Sequence, residues 1–359
     1  MSASRLRAAL DEALARWPAE SVTRPAEGHS RKDEQFLSFV SAMHARELLP
    51  SHALVSFVDE IGRALQAPAS PSDSDCVAGM SRELAHWIRD TYTLHLLPLL
   101  NPDGRARVEA TSNYCWRGNA RGVDLNRNFP WAWGGEGASH NPRSEEYCGK
   151  TVLSEPESAF LAGYASSLVN PLQIFLSLHA GVHHIYLPFA DSISRASGAA
   201  PDNHAAALAA AVAAAGTVAC AHGVHFDVGR AADLSEYPAD GTIFDFMAGA
   251  ANVPFSYALE LWGASNPAAA EGSLGCNPIF NPQDFELAPA LAVAHTLISE
   301  LLANAVPPSV PPAPHPRAAP GAVPRATLAA LASAASPRAL KIADLLRSTC
   351  HLAASETCP

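Results

Sequence analysis

The stretch FLSFVSAMHARELLPSHALVSF, residues 36–57, passes from an apolar run into a segment with helical spacing, with His44 and Glu47 between the two. A short, near-continuous apolar run is typical of a buried strand. Four apolar residues then recur at the spacing of an amphipathic helix: Leu54, Val58, Ile61 and Leu65. This change of pattern predicts a strand followed by a helix, with a histidine and a glutamate where the strand ends.

The same alternation continues along the chain. The predicted strands are residues 35–43, 92–100, 173–179 and 256–261, and the predicted helices are residues 51–66, 204–220 and 285–304. Strands that alternate with helices are typical of an α/β fold with a mainly parallel, helix-covered sheet.

The chain divides by composition into three parts. The residues before the first strand predict an amphipathic helix with one apolar face, formed by Leu6, Leu10, Leu14 and Trp17 and closed by Pro18. Residues 67–77 predict a loop. After residue 304 the sequence VPPSVPPAPHPRAAPGAVP is typical of an extended linker. We therefore predict a folded domain over 1–304, a Pro/Ala linker over 305–325 and a helical tail over 326–359, whose helical pattern covers 326–348.

The composition excludes several classes of protein. Of the 359 residues, 48% are hydrophobic and 16% are charged, which suits a soluble globular enzyme rather than a disordered chain. The net charge of −11 argues against nucleic acid and anionic membrane as partners. No apolar run approaches the roughly 20 residues that span a bilayer, and the N-terminus lacks the apolar stretch of a signal peptide.

The seven cysteines leave the redox environment open. No C-x-x-C pair occurs, so a structural zinc knuckle is not expected. Cys115 and Cys148 flank a loop rich in glycine, asparagine and tryptophan, and could form a disulfide. That disulfide would indicate an oxidising compartment, whereas buried free thiols fit the sequence equally well.

Three residues at predicted strand ends are candidate metal ligands. His44 and Glu47 are three residues apart at the start of a helix, where their side chains can converge on one ion. Ligands of open α/β sheets bind outside the carboxyl ends of the strands, and His179 ends the 173–179 run. A catalytic zinc ion has three such protein ligands. His183 and His184 are nearby alternatives that we expect to lie in a loop or to point to solvent.

The segment CWRGNARGVDLNRNFPWAWGG, residues 115–135, concentrates positive charge in an acidic protein. Its arginines are Arg117, Arg121 and Arg127, and Asn126 precedes the last of them. The planar guanidinium group binds a carboxylate through two hydrogen bonds. The segment is therefore a candidate anion site, although a solvated loop with surface arginines has the same composition.

Two further residues have functional interpretations. Glu260 lies at the end of an apolar strand, where a charge is costly unless it is paired or functional. Such a glutamate is a candidate general base beside a metal centre. Tyr237 follows a loop and could hydrogen-bond to a ligand, although loop tyrosines also serve in packing.

Six short motifs, taken in the order in which they occur, resemble those of one known family. They are H-A-R-E, N-P-D-G, W-R…D-L-N-R-N-F, S-L-H-A, Y-P-A-D-G…D-F and L-E-L. From about residue 35 to 304 the chain resembles the zinc carboxypeptidases, the M14 metallopeptidase family. The resemblance implies a catalytic domain over 1–304 with a mixed, mainly parallel sheet covered by helices on both faces. It also implies one zinc ion per chain and the hydrolysis of C-terminal peptide bonds by a zinc-activated water.

The resemblance assigns a role to each candidate residue. His44, Glu47 and His179 would bind zinc, and Glu260 would be the general base. Arg117 would stabilise the oxyanion of the tetrahedral intermediate. The residues that would bind substrate are Arg46 in the substrate channel, Asn126 and Arg127 at the terminal carboxylate, and Tyr237 as a closing residue.

Two departures from the family pattern remain. The family has a strand hairpin before the H-x-x-E strand, whereas only the polar residues 19–34 stand there. We therefore expect either a sheet that lacks edge strands or a chain that is an incomplete copy of a longer protein. A pro-segment ahead of the domain is not expected. The base of the specificity pocket is Phe244 if Asp245 is the family aspartate, which favours apolar C-terminal residues. A shift of one residue puts Asp245 itself at the base and favours basic ones.

Two alternative functions fit the same motifs. One is a related zinc amidohydrolase that acts on side-chain-linked glutamates or cell-wall peptides, and the other is a non-catalytic peptide-binding module. In each case we expect a monomer whose partners are peptide or protein C-termini, with no nucleic acid and no membrane. The N-terminus favours the cytoplasm, whereas the family and the cysteines favour secretion.

Overall fold

The computed structural model describes residues 2–17, 35–67, 80–168, 172–263 and 275–305. The predicted linker and tail lie outside these ranges apart from residue 305. So do residues 19–34 and, apart from Ala67, the predicted loop over 67–77. The division into three parts therefore stays a prediction.

A six-stranded mixed sheet forms the centre of the described chain. Its strands are β1 Gln35–Ser41, β2 Tyr92–Leu97, β3 Leu172–His179, β4 His183–Leu187, β5 Asp227–Arg230 and β6 Phe255–Leu261. Their spatial order is β2-β1-β3-β6-β4-β5. All neighbours are parallel except β4 and β6, which are antiparallel. The predicted mixed, mainly parallel sheet is confirmed.

Eleven α-helices connect and cover these strands within the described ranges. They are α1 Ala3–Leu14, α2 Leu49–Gln66, α3 Arg82–Thr91, α4 Pro102–Thr111, α5 Pro156–Ser167, α6 Ser192–Ser197, α7 His204–His222, α8 Ala231–Leu234, α9 Ile243–Gly249, α10 Asn277–Phe280 and α11 Asp284–Asn304. A 3-10 turn covers Leu125–Arg127.

Two apolar clusters pack on opposite faces of the sheet, as the alternation of β1 shows. Leu37 and Phe39 belong to the cluster under α2, α7 and α11, whereas Phe36 and Val40 belong to the cluster under α5 and α9. Successive strand residues point to opposite faces. Both faces of the sheet are therefore buried, as expected for a sheet of mainly parallel strands.

The predicted boundaries shift at two functionally important places. β1 ends at Ser41 rather than residue 43, because Ala42 has a left-handed φ of 52° that turns the chain. His183 and His184 begin β4 and do not lie in a loop, so the prediction of a loop is wrong. Both residues pair with β6, and this antiparallel pairing of β4 with β6 is not indicated by the sequence pattern.

Two helices are apolar and long enough to cross a bilayer by length and composition, namely His204–His222 and the stretch Asn277–Asn304. The prediction that the chain holds no such segment is therefore wrong. Core helices of soluble proteins pass the same test, and one or two of them are weak evidence. Residues of α7 and α11 both belong to the same apolar cluster of the core.

Candidate metal centre and active site

The candidate ligands lie at the carboxyl ends of two neighbouring parallel strands. β1 and β3 are paired up to Ser41 and Leu178, and His179 is the last residue of β3. The turn at Ala42 leads into His44 and Glu47, which precede α2. The strand ends therefore bring the H-x-x-E pair and the distant histidine to one place, as the sequence predicted.

The three side chains converge tightly and are almost completely buried. His44 Nδ1 lies 2.6 Å from Glu47 Oε1, and His179 Nδ1 lies 3.2 Å from Glu47 Oε2. The two Nδ1 atoms are 3.3 Å apart. Each side chain presents one ligand atom to a common centre, and these atoms lie within 4.8 Å of one another.

The outward-facing atoms of the centre are held by other residues. His44 Nε2 lies 3.2 Å from Asp124 Oδ1, and His179 Nε2 lies 2.8 Å from Ser177 Oγ. The N–H of Ala180 donates to Glu47 Oε2 at 3.2 Å. Histidines that bind a metal through one nitrogen commonly donate the other N–H to a neighbouring acceptor. Ser177 is placed for this role at His179, whereas Asp124 faces His44 Nε2 at ion-pair distance without hydrogen-bond geometry.

These residues fit a catalytic zinc ion. Two imidazoles and one carboxylate are a ligand set found in zinc enzymes. Burial alone would raise the pKa of Glu47, but His44 and His179 outweigh it and hold that pKa well below its ordinary value. The glutamate is therefore a carboxylate at neutral pH, which is the form that binds a metal.

A buried carboxylate, Asp124, links the metal centre to the arginine segment. Its Oδ2 accepts from Arg117 Nε at 2.8 Å and lies 3.9 Å from Arg127 Nη1. Burial opposes its charge, yet Arg117 and His44 hold the pKa of Asp124 well below its ordinary value. The sequence prediction missed this residue, although its place between Arg121 and Arg127 in R-G-V-D-L-N-R is a signal for a paired acid.

Arg117 lies beside the metal centre, as predicted. Its Nη1 is 4.0 Å from Glu47 Oε1. Burial alone would lower the pKa of Arg117, but Asp124 and Glu47 outweigh it and raise that pKa. The guanidinium is therefore a fixed positive charge next to the ligands.

Asn126 and Arg127 are positioned by the backbone around them. Asn126 Oδ1 accepts from the N–H of Ile243 at 3.0 Å. Arg127 donates from Nε to the Gly137 carbonyl at 2.7 Å and from Nη1 to the Asn126 carbonyl at 3.0 Å. Arg121 is not part of this group, because it is exposed and lies 3.6 Å from Glu155 at another place on the loop.

Arg46 is held from three sides at the edge of the site. Its Nη1 donates to the Cys115 carbonyl at 3.0 Å and lies 3.1 Å from Glu145 Oε2. Its guanidinium carbon lies 4.2 Å from the centre of the Phe280 ring. Glu145 and Phe280 were not predicted, since their contacts with Arg46 depend on the tertiary fold.

Glu260 is the strand neighbour of a candidate ligand. It pairs in register with His179 across β3 and β6. Burial, and then repulsion by Glu47, raises the pKa of Glu260 to about 7. Its Oε2 is buried and has no hydrogen-bond partner among the described residues. A carboxyl group with this pKa can exchange a proton near neutral pH.

The remaining predicted residues differ in their surroundings. Tyr237 is 62% exposed and lies within electrostatic range of Arg117 and Arg127. Phe244 is buried in the apolar cluster below α9. Asp245 is fully buried, and both of its carboxylate oxygens accept from the N–H of Ala190, at 3.1 and 2.9 Å.

The disulfide near the site differs from the pairing considered from the sequence. Cys115 is bonded to Cys276, which is 161 residues away in the chain. Cys148 is a buried free thiol. A Cys115–Cys148 disulfide is therefore excluded, because the fold brings Cys276, just before α10, against Cys115 and leaves Cys148 unpaired.

The model of the zinc carboxypeptidase family, peptidase M14, matches residues 21–289. The chain belongs to the zinc carboxypeptidase family. This membership and the His44–Glu47–His179 group agree on Zn²⁺ as the cofactor.

Similar proteins are found at about 30% identity. Human carboxypeptidase O is 30% identical over 227 residues, which are 61% of this chain and 55% of that protein. Bovine carboxypeptidase B is 30% identical over 180 residues, which are 48% of this chain and 41% of that protein. The chain thus spans about half the length of the curated relatives it matches.

Solved structures show the same fold. Bovine thrombin-activatable fibrinolysis inhibitor, solved in complex with tick carboxypeptidase inhibitor, superposes with a TM-score of 0.65 at 19% identity, covering 85% of this chain and 97% of that one. Carboxypeptidase A from Helicoverpa armigera superposes with a TM-score of 0.63 at 22% identity, covering 85% and 73%.

Proposed function

We propose that this protein is a zinc-dependent carboxypeptidase that hydrolyses the C-terminal bond of peptides. The observation that carries the proposal is the buried His44–Glu47–His179 group with Arg117 and Glu260 beside it. Zinc bound there would polarise the scissile carbonyl and acidify a water molecule. The chain's own residues would supply the proton transfers, the fixed positive charge and the recognition of the substrate.

Glu260 is proposed to act as the general base and then as the general acid. Its raised pKa of about 7 supports both roles, because the same carboxyl group can take a proton from water and return it to the leaving amine. Its partnerless Oε2 leaves one oxygen available for this transfer.

Arg117 is proposed to stabilise the negative oxygen that forms during attack. It is partly buried, permanently charged and anchored by Asp124 at 2.8 Å, so it needs little reorganisation when the charge develops. A fixed donor of this kind commonly contributes about 3–4 kcal/mol to the transition state.

Recognition of a free C-terminus is proposed for Asn126, Arg127 and Tyr237. Arg127 lies 3.9 Å from Asp124 and shares that carboxylate with Arg117, so its guanidinium is only partly neutralised and suits the carboxylate of a substrate. The exposed Tyr237 lies within electrostatic range of both arginines, which supports a role in covering a bound carboxylate.

A preference for apolar C-terminal residues is proposed from the surroundings of Phe244 and Asp245. Both carboxylate oxygens of Asp245 already accept from the Ala190 N–H. Burial and the neighbouring Asp191 raise the pKa of Asp245 well above the ordinary value. A carboxyl group held in this way is poorly suited to pair with an incoming lysine or arginine. Phe244 offers an apolar surface instead.

An oxidising compartment is proposed from the Cys115–Cys276 disulfide, since such bonds persist mainly in secreted or periplasmic proteins. Thiol counting on protein isolated without reductant tests this. Reactive thiols at both positions would contradict the proposal.

The function is tested with blocked dipeptides that end in Phe, Leu, Lys, Arg or Glu. Each is incubated with the zinc-loaded protein, with the chelated protein and with Glu260→Gln. Glu300→Gln is the matched control, because Glu300 also has a raised pKa but lies on α11, outside the site. We expect chelator-sensitive release of Phe and Leu that is lost in Glu260→Gln and retained in Glu300→Gln.

Other outcomes distinguish the alternatives. Zinc binding without turnover of any peptide would indicate a binding module. Turnover confined to side-chain-linked glutamates or cell-wall peptides would indicate the related amidohydrolase.

A further inference from the structure

The helix that follows the candidate ligands is capped by a residue from the far end of the domain. The first N–H groups of an α-helix have no partner within the helix, and Leu48 at the start of α2 provides no side-chain cap. Asn281 Oδ1 accepts from the N–H of Leu48 at 2.7 Å and from the N–H of Leu49 at 3.4 Å. A residue 233 positions away therefore acts as the N-cap of α2.

The other end of the same amide holds the opposite side of Glu47. Asn281 Nδ2 donates to the Arg46 carbonyl at 2.9 Å. The peptide groups before and after Glu47 are thus both hydrogen-bonded to one buried side chain. Because Glu47 contacts both candidate histidines, its backbone position decides where its carboxylate lies.

Asn281 is itself fixed from several directions. Its N–H donates to the Asn277 carbonyl at 2.9 Å, and its Nδ2 lies 2.9 Å from Asn277 Oδ1. The preceding residue, Phe280, lies under the Arg46 guanidinium. Cys276, at the start of this segment, is bonded to Cys115, whose carbonyl accepts from Arg46.

We infer that Asn281 is a positioning residue for the candidate metal centre, acting through the backbone of Arg46–Leu49, with the Cys115–Cys276 disulfide anchoring its segment. The inference rests on the proposed zinc site. It assigns to residues 276–281 a role in the geometry of zinc ligation that their sequence does not suggest.

The test compares Asn281→Leu, which removes every hydrogen bond of the Asn281 side chain, with Asn281→Asp, which keeps the acceptor for Leu48 and Leu49 but loses the donor to the Arg46 carbonyl. Asn304→Leu is the matched control, because Asn304 is exposed and bonds only within α11. The zinc dissociation constant is measured by competition with a chromogenic chelator. Hydrogen exchange over residues 46–50 is measured on the metal-free proteins.

We expect Asn281→Leu to raise the zinc dissociation constant by about 10- to 100-fold, the usual effect of losing support around a metal ligand. We also expect faster exchange at Leu48 and Leu49. Asn281→Asp should restore the slow exchange at Leu48 and Leu49. Its zinc affinity should stay below that of the wild type, because its second oxygen faces the Arg46 carbonyl instead of donating to it. Asn304→Leu should behave as the wild type in both measurements.

Two results would overturn the inference. One is an unchanged zinc dissociation constant in a folded Asn281→Leu protein, and the other is equally fast exchange at Leu48 and Leu49 in the Leu and Asp variants. If Asn281→Leu does not fold, Asn277→Ala removes only the acceptor that orients the Asn281 amide, and it should weaken zinc binding severalfold. Wild-type protein that binds zinc but hydrolyses no peptide would contradict the proposed function alone.

Discussion

Replacing Asp124 by Asn tests how far the site depends on one buried charge. Asp124 is fully buried, and its two oxygens face different donors: Oδ1 faces His44 Nε2 and the N–H of Asn126, and Oδ2 faces Arg117 Nε. An amide has only one acceptor oxygen. In either orientation, its NH₂ group therefore meets a donor that the carboxylate accepted from.

The expected magnitudes follow from these contacts. Loss of the partner that orients His44 should weaken zinc binding by about 10- to 100-fold, or about 1.4–2.7 kcal/mol. Removing one partner of a buried ion pair costs about 3–5 kcal/mol of folding free energy. We expect the lower end of about 3 kcal/mol, because Arg117 retains Glu47 at 4.0 Å.

Two measurements check these values separately. Chelator competition gives the zinc dissociation constant, and urea unfolding of the metal-free protein gives the free energy of unfolding. Asp240→Asn is the matched control, because Asp240 is equally buried but accepts from Gly137 and Ser192, without a cation. It should lose stability and keep its zinc affinity. An Asp124→Asn protein with wild-type zinc affinity would refute the reasoning.

Three further predictions follow from other parts of the site. The positive charge of bound zinc should lower the pKa of Glu260 from the value of about 7 in the metal-free protein, so the acid limb of kcat/KM in the zinc-loaded enzyme should lie below pH 7; a limb above pH 7 would contradict this. Asp245→Asn should leave the preference for Phe and Leu over Lys and Arg within about threefold, a difference of less than 1 kcal/mol; a large shift in the ratio of kcat/KM values would mean that Asp245 contacts the substrate side chain. In the metal-free protein, Glu47 and Asp124 have folded pKa values below their unfolded values of 4.5 and 3.8. Their contribution to stability is therefore present above pH 4.5 and is lost as the pH falls toward the folded values. Urea unfolding at pH 7, 4 and 3 should show this loss of stability, and the loss should be smaller in Asp124→Asn.

The sequence predicted the parts of the site that depend on strand ends. His44, Glu47 and His179 could be assembled because parallel strands of one sheet present their carboxyl ends at the same edge. The pattern of apolar runs located β1, β3 and β6 closely enough for that argument. The predicted group of ligands is the group that the structure brings together.

The sequence did not predict contacts that join distant segments. Cys276 is 161 residues from Cys115, and Asn281 is 233 residues from Leu48, so no local spacing indicates either pair. β4 was missed because its antiparallel pairing breaks the strand–helix alternation and its first residues are histidines. In each case the partner is chosen by the tertiary fold and not by a local pattern.

The close contacts among His44, Glu47 and His179 make zinc uptake a proton-exchange reaction. The Nδ1 atoms of His44 and His179 lie 2.6 and 3.2 Å from the Glu47 oxygens, so any hydrogen between them must leave before a cation can use the same lone pairs. The apparent affinity for the metal should therefore rise with pH. Calorimetric titrations in buffers of different ionisation enthalpy would count the protons released for each ion bound.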